Sequence, residues 1–334
     1  MTMTTPDRSD WSPRSRASWI REAQLAGNAH HVRHAVPWRH NLLNLSCTTG
    51  VLVAILVLGW SSQVVPWYLY LPLGSFLGGC LFFALFIQVV HEASHEMYLL
   101  GATPAQTRTW NRRVGRLMTM LLFTNWKQHW EEGHLVHHLH PMEPVDPQIR
   151  GAAADGRDLF VLWLKLLTVP LYVFRANPSA NYGIDPVRLS GALVFWAIAG
   201  TAGAWAWSWT LPLVVLGSFH TTLVLSLLRE NQEHASGLQE ELDPACRSRS
   251  FFYPLRHLLI PFNMNYHFEH HLHFKVPWYS LPRYHRDVRR IMPGALHPYF
   301  FTDTFRDFVA QVNGTRDTVP AHLRHMLVRE QPST

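Results

Sequence analysis

NLLNLSCTTGVLVAILVLGWSSQVVPWYLYLPLGSFLGGCLFFALFIQVV, residues 41–90, contains no Asp, Glu, Lys or Arg, and residues 189–228 form a second such stretch. A helix needs roughly 20 apolar residues to cross a hydrocarbon core of about 30 Å, so each stretch is long enough for two crossings. The sequence therefore predicts two transmembrane hairpins, with helices at about residues 42–60 and 65–90, and at about residues 189–207 and 210–228. Buried core helices in a soluble protein are the alternative, which we disfavour because a soluble domain seldom contains two such stretches.

The positive charges predict the sidedness of the chain. All 29 Lys and Arg residues lie before, between or after the hairpins, and neither outer turn contains one. The positive-inside rule then places all three charged segments in the cytoplasm. We predict a multi-pass protein of a cytoplasmic membrane, with a cytosolic N-terminal arm (1–40), a membrane domain (41–290) and a cytosolic C-terminal tail (291–334). Residues 1–39 lack an apolar core, which predicts a surface arm rather than a cleaved secretory signal.

Three short runs of histidine follow the predicted helices: His91-Glu-Ala-Ser-His95, His134-Leu-Val-His137-His138 and His267-Phe-Glu-His270-His271. Residues three and four apart share one face of a helix, so each run directs its imidazoles to one point. Neutral imidazole is a good ligand for zinc, copper, nickel and iron. An even number of crossings separates the runs, so the sequence predicts one cytosolic site that holds two metal ions. A single histidine is more often a surface or core residue, and we expect His220 to be a core residue, with a substrate contact as the alternative.

Two shorter apolar segments, 117–123 and 159–174, are predicted to be interfacial or re-entrant helices. A crossing by the second segment would separate the third histidine run from the other two. Residues 175–186 contain Asn-Pro and Asp-Pro steps, which predict a loop. The net charge of +6 comes without a compact basic motif, so nucleic acid is not an expected partner. The three cysteines, Cys47, Cys80 and Cys246, are too scattered for a thiolate metal site or a disulfide framework.

At the histidine runs, and over roughly residues 90–285, the sequence resembles the integral-membrane fatty acid desaturase and hydroxylase superfamily with its HxxxH, HxxHH and HxxHH boxes. Residues 265–285, NYHFEHHLHFKVPWYSLPRYH, are similar to the family pattern NxHxEHHLxPxxPxYxLPxxH, with Phe274-Lys275 where the family often has Phe-Pro. Asp146-Pro147-Gln148 is similar to an Asp-Pro-Asp element that follows the second box. The resemblance implies an all-α membrane fold whose four transmembrane helices carry a cytosolic helical cap with the metal site.

The resemblance also implies a ligand set, two iron ions and O2 as co-substrate. Arg229-Glu-Asn-Gln-Glu-His234 is similar to the element that supplies a ninth histidine in the family. The expected ligands are His91, His95, His134, His137, His138, His234, His267, His270 and His271. Polar side chains beside these ligands could hold the imidazole rings in place, and Asn231 could also act through a water molecule. For the carboxylates, a solvated surface charge is the alternative. The polar side chains concerned are Glu92, Glu132, Asn231, Glu233, Asn265 and Glu269.

The expected activity is desaturation of an acyl chain or a similar lipid-like substrate, because residues 276–282 look most like the acyl desaturase branch. A hydroxylase, a carotenoid-type ketolase, and a desaturase of a small amphiphilic or carrier-bound substrate stay open. A membrane protein that only binds zinc or copper is the non-enzymatic alternative.

An external electron donor is implied, because the chain has no GxGxxG motif, no cysteine cluster and no His-Pro-Gly-Gly haem motif. A ferredoxin or cytochrome with its reductase would fill this role. Two basic clusters could steer it, although simple membrane-proximal charge is the alternative for both. One cluster is Arg112, Arg113, Arg116 and Lys127, and the other is Arg283, Arg286, Arg289 and Arg290.

Overall fold

Helices make up most of the fold. A computed structural model describes residues 17–148, 156–169, 172, 186–234, 237–238, 241, 243–254, 256–312 and 318–327. In this part of the chain, two two-residue strands, β1 (Ser250–Phe251) and β2 (Phe301–Thr302), pair in parallel with Ser250 opposite Phe301. The helices are α1 (Ser18–Gly27), α2 (Pro37–Ser61), α3 (Trp67–Ser94), α4 (Pro104–Leu121), α5 (Gly133–Leu139), α6 (Gly156–Thr168), α7 (Pro186–Ala206), α8 (Leu211–Glu233), α9 (Arg256–Leu259), α10 (His267–Leu272), α11 (Leu281–Ile291), α12 (His297–Phe300) and α13 (Phe305–Val312).

Four of these helices, α2, α3, α7 and α8, are long and apolar enough to cross a membrane, which confirms the predicted spans. Only 11% of the apolar window of α2 and 6% of that of α7 is buried, against 67% for α3. Side chains such as Leu56 on α2 and Ile198 on α7 are exposed. In a membrane protein these outward apolar faces contact lipid, so α2 and α7 are the outer helices and α3 is the inner one.

The two hairpin turns lie together at one end of the four helices. Gln63 Nε2 donates to the carbonyl oxygen of Ala206 at 3.4 Å, and the rings of Trp67 and Trp209 are 6.4 Å apart. At the other end, the Asn41 side chain at the start of α2 donates to the Leu100 carbonyl oxygen at 2.9 Å. The segments that follow the hairpins therefore share one end of the bundle. Which side of the membrane this end faces stays a prediction.

Small residues let the backbones of α3 and α8 approach closely. A Cβ on Gly78 would lie 2.2 Å from Ser218 Oγ, and one on Gly79 would lie 2.4 Å from Thr221 Cβ. The Thr222 hydroxyl donates to the carbonyl oxygen of Gly79 at 3.1 Å. Helices in lipid associate through such close packing and interhelical hydrogen bonds because the hydrophobic effect gives little drive there. This contact fixes the ends of α3 and α8, which carry the first and ninth predicted ligands.

The two predicted interfacial segments lie on helices that do not qualify as membrane spans. Leu117 is exposed on α4, and the Trp196 indole of α7 donates to the Leu121 carbonyl oxygen at 2.8 Å. On α6, Phe160 and Leu164 are exposed, whereas the buried Leu166 packs near Leu227 of α8. The α6 helix has 13 residues, which is too short to cross a bilayer. Residues 170–171 and 173–174 of that segment and 175–185 of the predicted loop lie outside the described residues.

The N-terminal segment packs into the core, so the prediction of a surface arm is wrong for residues 17–34. Ile20 and Ala23 of α1 are fully buried. The Trp19 indole donates to the carbonyl oxygen of Met326 at 2.7 Å, and the Tyr284 hydroxyl donates to that of Ala23 at 2.9 Å. Apolar side chains on one face of α1 complete a core shared by α10, α11 and residues 318–327. The domain boundaries at 40 and 290 stay predictions.

Replacing Gly79 with Leu should destabilise the protein by about 1–3 kcal/mol, because the new side chain overlaps Thr221. Gly50→Leu is the matched control, since a Cβ at Gly50 of the outer helix α2 meets nothing within 4 Å. Thermal unfolding in detergent, followed by circular dichroism, measures both variants. Equal melting temperatures for the two variants would contradict the close packing of α3 and α8.

Candidate metal centre

The three histidine boxes lie on short helical segments next to the membrane helices. Residues Phe86–His91 of α3 are π-helical, and a second π-helical segment, Trp126–Glu132, leads into α5. The first box ends α3, the second lies on α5 and the third forms α10. Single π-helical turns often occur at functional sites because they rotate the side chains that follow. Here they precede two of the three boxes.

The structure brings all nine predicted ligands together in two adjacent clusters. Within each cluster the candidate ligand atoms lie within 4.8 Å of one another, and every ring is buried. The clusters adjoin, because the ring centroids of His138 and His271 are 4.4 Å apart. The five-histidine cluster contains His91, His95, His134, His138 and His270, and the four-histidine cluster contains His137, His234, His267 and His271.

Imidazole nitrogens face each other inside both clusters. His134 Nε2 lies 2.9 Å from His95 Nε2, and His267 Nε2 lies 2.8 Å from His234 Nε2. Among the described residues, neither ring nitrogen of His138 or His271 has a hydrogen-bond partner. Buried polar atoms without partners cost free energy, which a bound metal ion would remove by accepting their lone pairs. The all-nitrogen donor set therefore fits a transition-metal cofactor.

Three ligand rings are oriented by partners on their outer side. His137 Nδ1 is 2.9 Å from Asp146 Oδ2, His134 Nδ1 is 2.7 Å from Gln148 Oε1, and His234 Nδ1 donates to the backbone carbonyl at position 247 at 2.8 Å. A proton on each Nδ1 leaves Nε2 free to point a lone pair into its cluster. Asp146 and Gln148 belong to the element that resembles the family's Asp-Pro-Asp, and their position in the sequence does not by itself predict these contacts.

Two of the six side chains expected beside the ligands are buried at the clusters. Glu92 Oε1 is 3.7 Å from His91 Nδ1, and Glu233 Oε2 is 3.4 Å from His267 Nε2. The Arg229 Nε atom lies 3.4 Å from Glu233 Oε2, which places a cation beside this carboxylate. Both glutamates are therefore close to ligand rings without the short contact that Asp146 makes.

The other four side chains have different partners. Glu269 is buried but accepts from His285 and Ser250, neither of which is an expected ligand. The Asn265 amide donates to the Phe251 carbonyl oxygen, and the Asn231 amide donates to the Leu227 carbonyl oxygen, both at 2.8 Å. Glu132 is exposed and lies 3.9 Å from Lys127 Nζ, which agrees with the alternative of a solvated charge.

His220 is a further correction. We expected a buried core residue, but its side chain is only half-buried on α8. The positions four residues before and after it, Leu216 and Val224, are also exposed or half-buried. His220 therefore lies on a less buried face of α8 than Ser218 and Thr222, which lie at the contact with α3.

A polar cavity lies beside the four-histidine cluster. Arg229, Glu230 and Glu233 of α8 contribute opposite charges to its wall, next to the two ligands His137 and His234. The remaining lining residues are His129, Trp130 and Gln148. The cavity is about large enough for one water molecule, which its polar walls could bind beside the four-histidine cluster.

Burial disfavours the protonated form of an imidazole, and the neutral form is the one that binds metal. Desolvation, with further contributions from His137 and Arg229, lowers the pKa of His270 to about 3. Desolvation and the nearby His137 likewise lower the pKa of His129 to about 3. Burial alone would raise the pKa of Asp146, but its contact with His137 outweighs burial and brings that pKa to about 2. Asp146 is therefore ionised at neutral pH and can accept a hydrogen bond from His137 Nδ1.

The metal-free protein should lose stability as the pH falls below about 6.5, the pKa of an unfolded histidine. Because His270 and His129 have lowered pKa values when folded, the unfolded chain binds more protons between pH 6.5 and about 3. Each such histidine contributes at most about 1.4 kcal/mol per pH unit in that window. Melting temperatures of chelator-treated protein between pH 8 and pH 5 test this; a constant value across that range would contradict it.

The comparison with known families agrees with this geometry. The profile of the fatty acid desaturase family matches residues 66–303, which include three of the four spans and all nine clustered histidines. No curated protein matches the chain. The four apolar helices and this family fit an integral membrane protein, and the buried histidines fit a metal cofactor. The matched region covers more than half of the sequence, so the chain belongs to the fatty acid desaturase family, a family of oxidoreductases.

Proposed function

We propose that this protein is an O2-dependent di-iron desaturase that introduces a C=C bond into an acyl chain or a similar lipid-like substrate. The observation that carries the proposal is the pair of adjacent, buried histidine clusters, one of five and one of four rings, in a member of the fatty acid desaturase family. The clusters lie at the ends of α3 and α8, next to the apolar helices along which we propose that a lipid-like substrate reaches them.

The number and arrangement of the donors favour two ions. Nine imidazoles exceed what one ion can bind, and they divide into two groups that each converge on their own centre. Imidazole suits iron, copper, nickel and zinc alike, so the choice of iron rests on the family. Two bound irons would supply the reduction of O2 and the removal of hydrogen from an unactivated C–H bond.

The chain itself holds the rings and excludes water. None of the nine histidines is more than 6% exposed. The Phe274 ring packs against His95 and His138, with centroid distances of 5.5 and 5.3 Å. On the opposite side, Trp130 lies 5.2 Å from the His134 ring and 4.8 Å from the Phe86 ring. These aromatic walls keep solvent from the reacting carbon and give an acyl chain an apolar surface to lie on.

Desaturation and hydroxylation share their electron requirement. Desaturation converts CH2–CH2, O2, two electrons and two protons into CH=CH and two waters. Hydroxylation converts C–H, O2, two electrons and two protons into C–OH and one water. The outcome depends on how the substrate carbon is placed, so a hydroxylase is the alternative within the family. In either case we propose an external one-electron carrier, a ferredoxin or cytochrome with its reductase, as the source of electrons.

Cells that produce the active protein should contain lipids two mass units lighter than their precursors. Mass spectrometry of the lipids, compared with cells that produce the His270→Ala variant, measures this change. His270 belongs to the five-histidine cluster, so its loss should abolish the new product. A gain of sixteen mass units would instead indicate hydroxylation, and unchanged lipids and metabolites would argue against an oxidative enzyme.

The purified protein should contain about two irons per chain, one per cluster. His138→Ala should lower the metal content by at least about half, because the five-histidine cluster loses a central ligand. His257→Ala is the matched control, since His257 is exposed and outside both clusters. Metal analysis measures both variants. Tightly held zinc with no O2 consumption would support a zinc-binding protein, and unchanged metal in His138→Ala would contradict the site.

A further inference from the structure

The α11 helix has one apolar face and one face of positive charge. Arg283, Arg286 and Arg290 are exposed, whereas Leu281, Tyr284 and Val288 on the other face are fully buried. Arg290 pairs with Asp287 at 3.0 Å. Among the described residues, Arg283 and Arg286 form no ion pair, so their charge is available to a partner. No large apolar side chain of α11 is exposed.

The charged face adjoins a group of packed aromatic rings. The Arg289 guanidinium lies over the rings of Phe301, at 4.5 Å, and Phe252, at 5.5 Å. The His285 ring lies among Phe252, at a centroid distance of 4.6 Å, and Phe301 and Tyr266, both at 5.1 Å. His285 is therefore enclosed by aromatic rings directly beneath the arginine surface.

His285 connects these rings to the third histidine box. Its Nδ1 atom donates to Glu269, which lies on α10 between the expected ligands His267 and His270. Tyr266 immediately precedes His267 in the chain. Direct contacts therefore run from the arginine surface through aromatic rings and one hydrogen bond to the helix that carries three ligands.

The other basic cluster has the features of a lipid-facing helix. On α4, Arg112 pairs with Glu131 at 2.5 Å, and the exposed Arg113 and Arg116 stand beside exposed Trp110 and Leu117. The helix also packs on the membrane helix α7. A mixed basic and apolar surface is typical of helices that lie at the headgroup boundary. The purely charged face of α11, which includes Asp287, suits an acidic protein better than a lipid surface.

We propose that the exposed arginine face of α11 is the docking surface for the electron donor, an acidic one-electron carrier. The inference rests on the proposed function, because only a redox enzyme needs such a partner. Each docking event oxidises one reduced carrier and passes one electron to the metal centre, so two events supply the two electrons that each O2 requires. Opposite charge on the carrier raises the association rate and selects the orientation in which its redox group faces His285.

The test reverses charge at the two unpaired arginines in the full-length, iron-loaded protein. The double variant Arg283→Glu/Arg286→Glu is compared with Arg113→Glu/Arg116→Glu, which makes the same change of charge on α4. Reduced plant-type [2Fe–2S] ferredoxin, an acidic protein, is mixed with each form, and its oxidation is followed by stopped-flow absorbance. Dithionite, which needs no docking surface, provides a second reductant for every form.

The α11 variant should oxidise ferredoxin at least about tenfold more slowly than the wild type, and the α4 variant should stay within about twofold. The wild-type rate should fall between about 20 and about 300 mM NaCl, and the α11 variant should lose this dependence. Dithionite should reduce all three proteins equally, and their melting temperatures should agree.

Equal ferredoxin rates for the α11 variant and the wild type would overturn the proposal. So would slowing confined to the α4 variant, or a wild-type protein that dithionite reduces and ferredoxin does not. Loss of binding to anionic vesicles by the α11 variant, with an unchanged ferredoxin rate, would assign this face to lipid headgroups instead. If dithionite gives no O2-dependent product from any acyl substrate even with the wild type, the proposed function itself fails.

Discussion

The burial of nine imidazoles in two adjacent clusters is the constraint on which the rest of the structure depends. Each ring brings two polar nitrogens into a region almost without solvent, and several of these nitrogens have no protein partner in the described chain. Such an arrangement is unfavourable unless an ion accepts the lone pairs. The surrounding elements are arranged to meet this constraint: α3 and α8 bring two ligand segments together through glycine contacts, and Asp146 and Gln148 set the ring orientations.

Because of this constraint, the membrane helices and the short helices outside the membrane have different structural roles. The outer helices α2 and α7 face lipid and contribute no ligand, whereas α3 and α8 both end at expected ligands. The third box lies on a helix of only six residues, too short to hold its own position. It is positioned instead by packing against α1 and α11 and by the contacts of Glu269 with Ser250 and His285. Rigid support outside the membrane therefore matters as much as the spans themselves.

The sequence predicted the spans and the ligands because both follow from local physical rules. A helix in lipid cannot carry charge over its length, and imidazoles three or four residues apart share a face. It did not predict the partners of Glu269, and for Glu132 it left open a solvated charge, with which the exposed side chain agrees. Glu269 follows His267 by two residues, and that spacing turns its side chain to the other face of the helix. The roles of Asp146 and Gln148 depend on how the loop after α5 folds back onto the histidines. The packing of α1 depends on residues far away in the sequence, since Trp19 and Met326 are 307 positions apart. No local pattern carries that information.

The contact between Trp19 and Met326 has a consequence for biogenesis. During translation, α1 must wait for a segment that is made about 300 residues later before its docking site is complete. Both hairpins will by then have been inserted into the bilayer. The support that α1 gives to the third histidine box is therefore completed late in synthesis, so we expect a metal ion to enter a nearly finished polypeptide rather than a nascent chain.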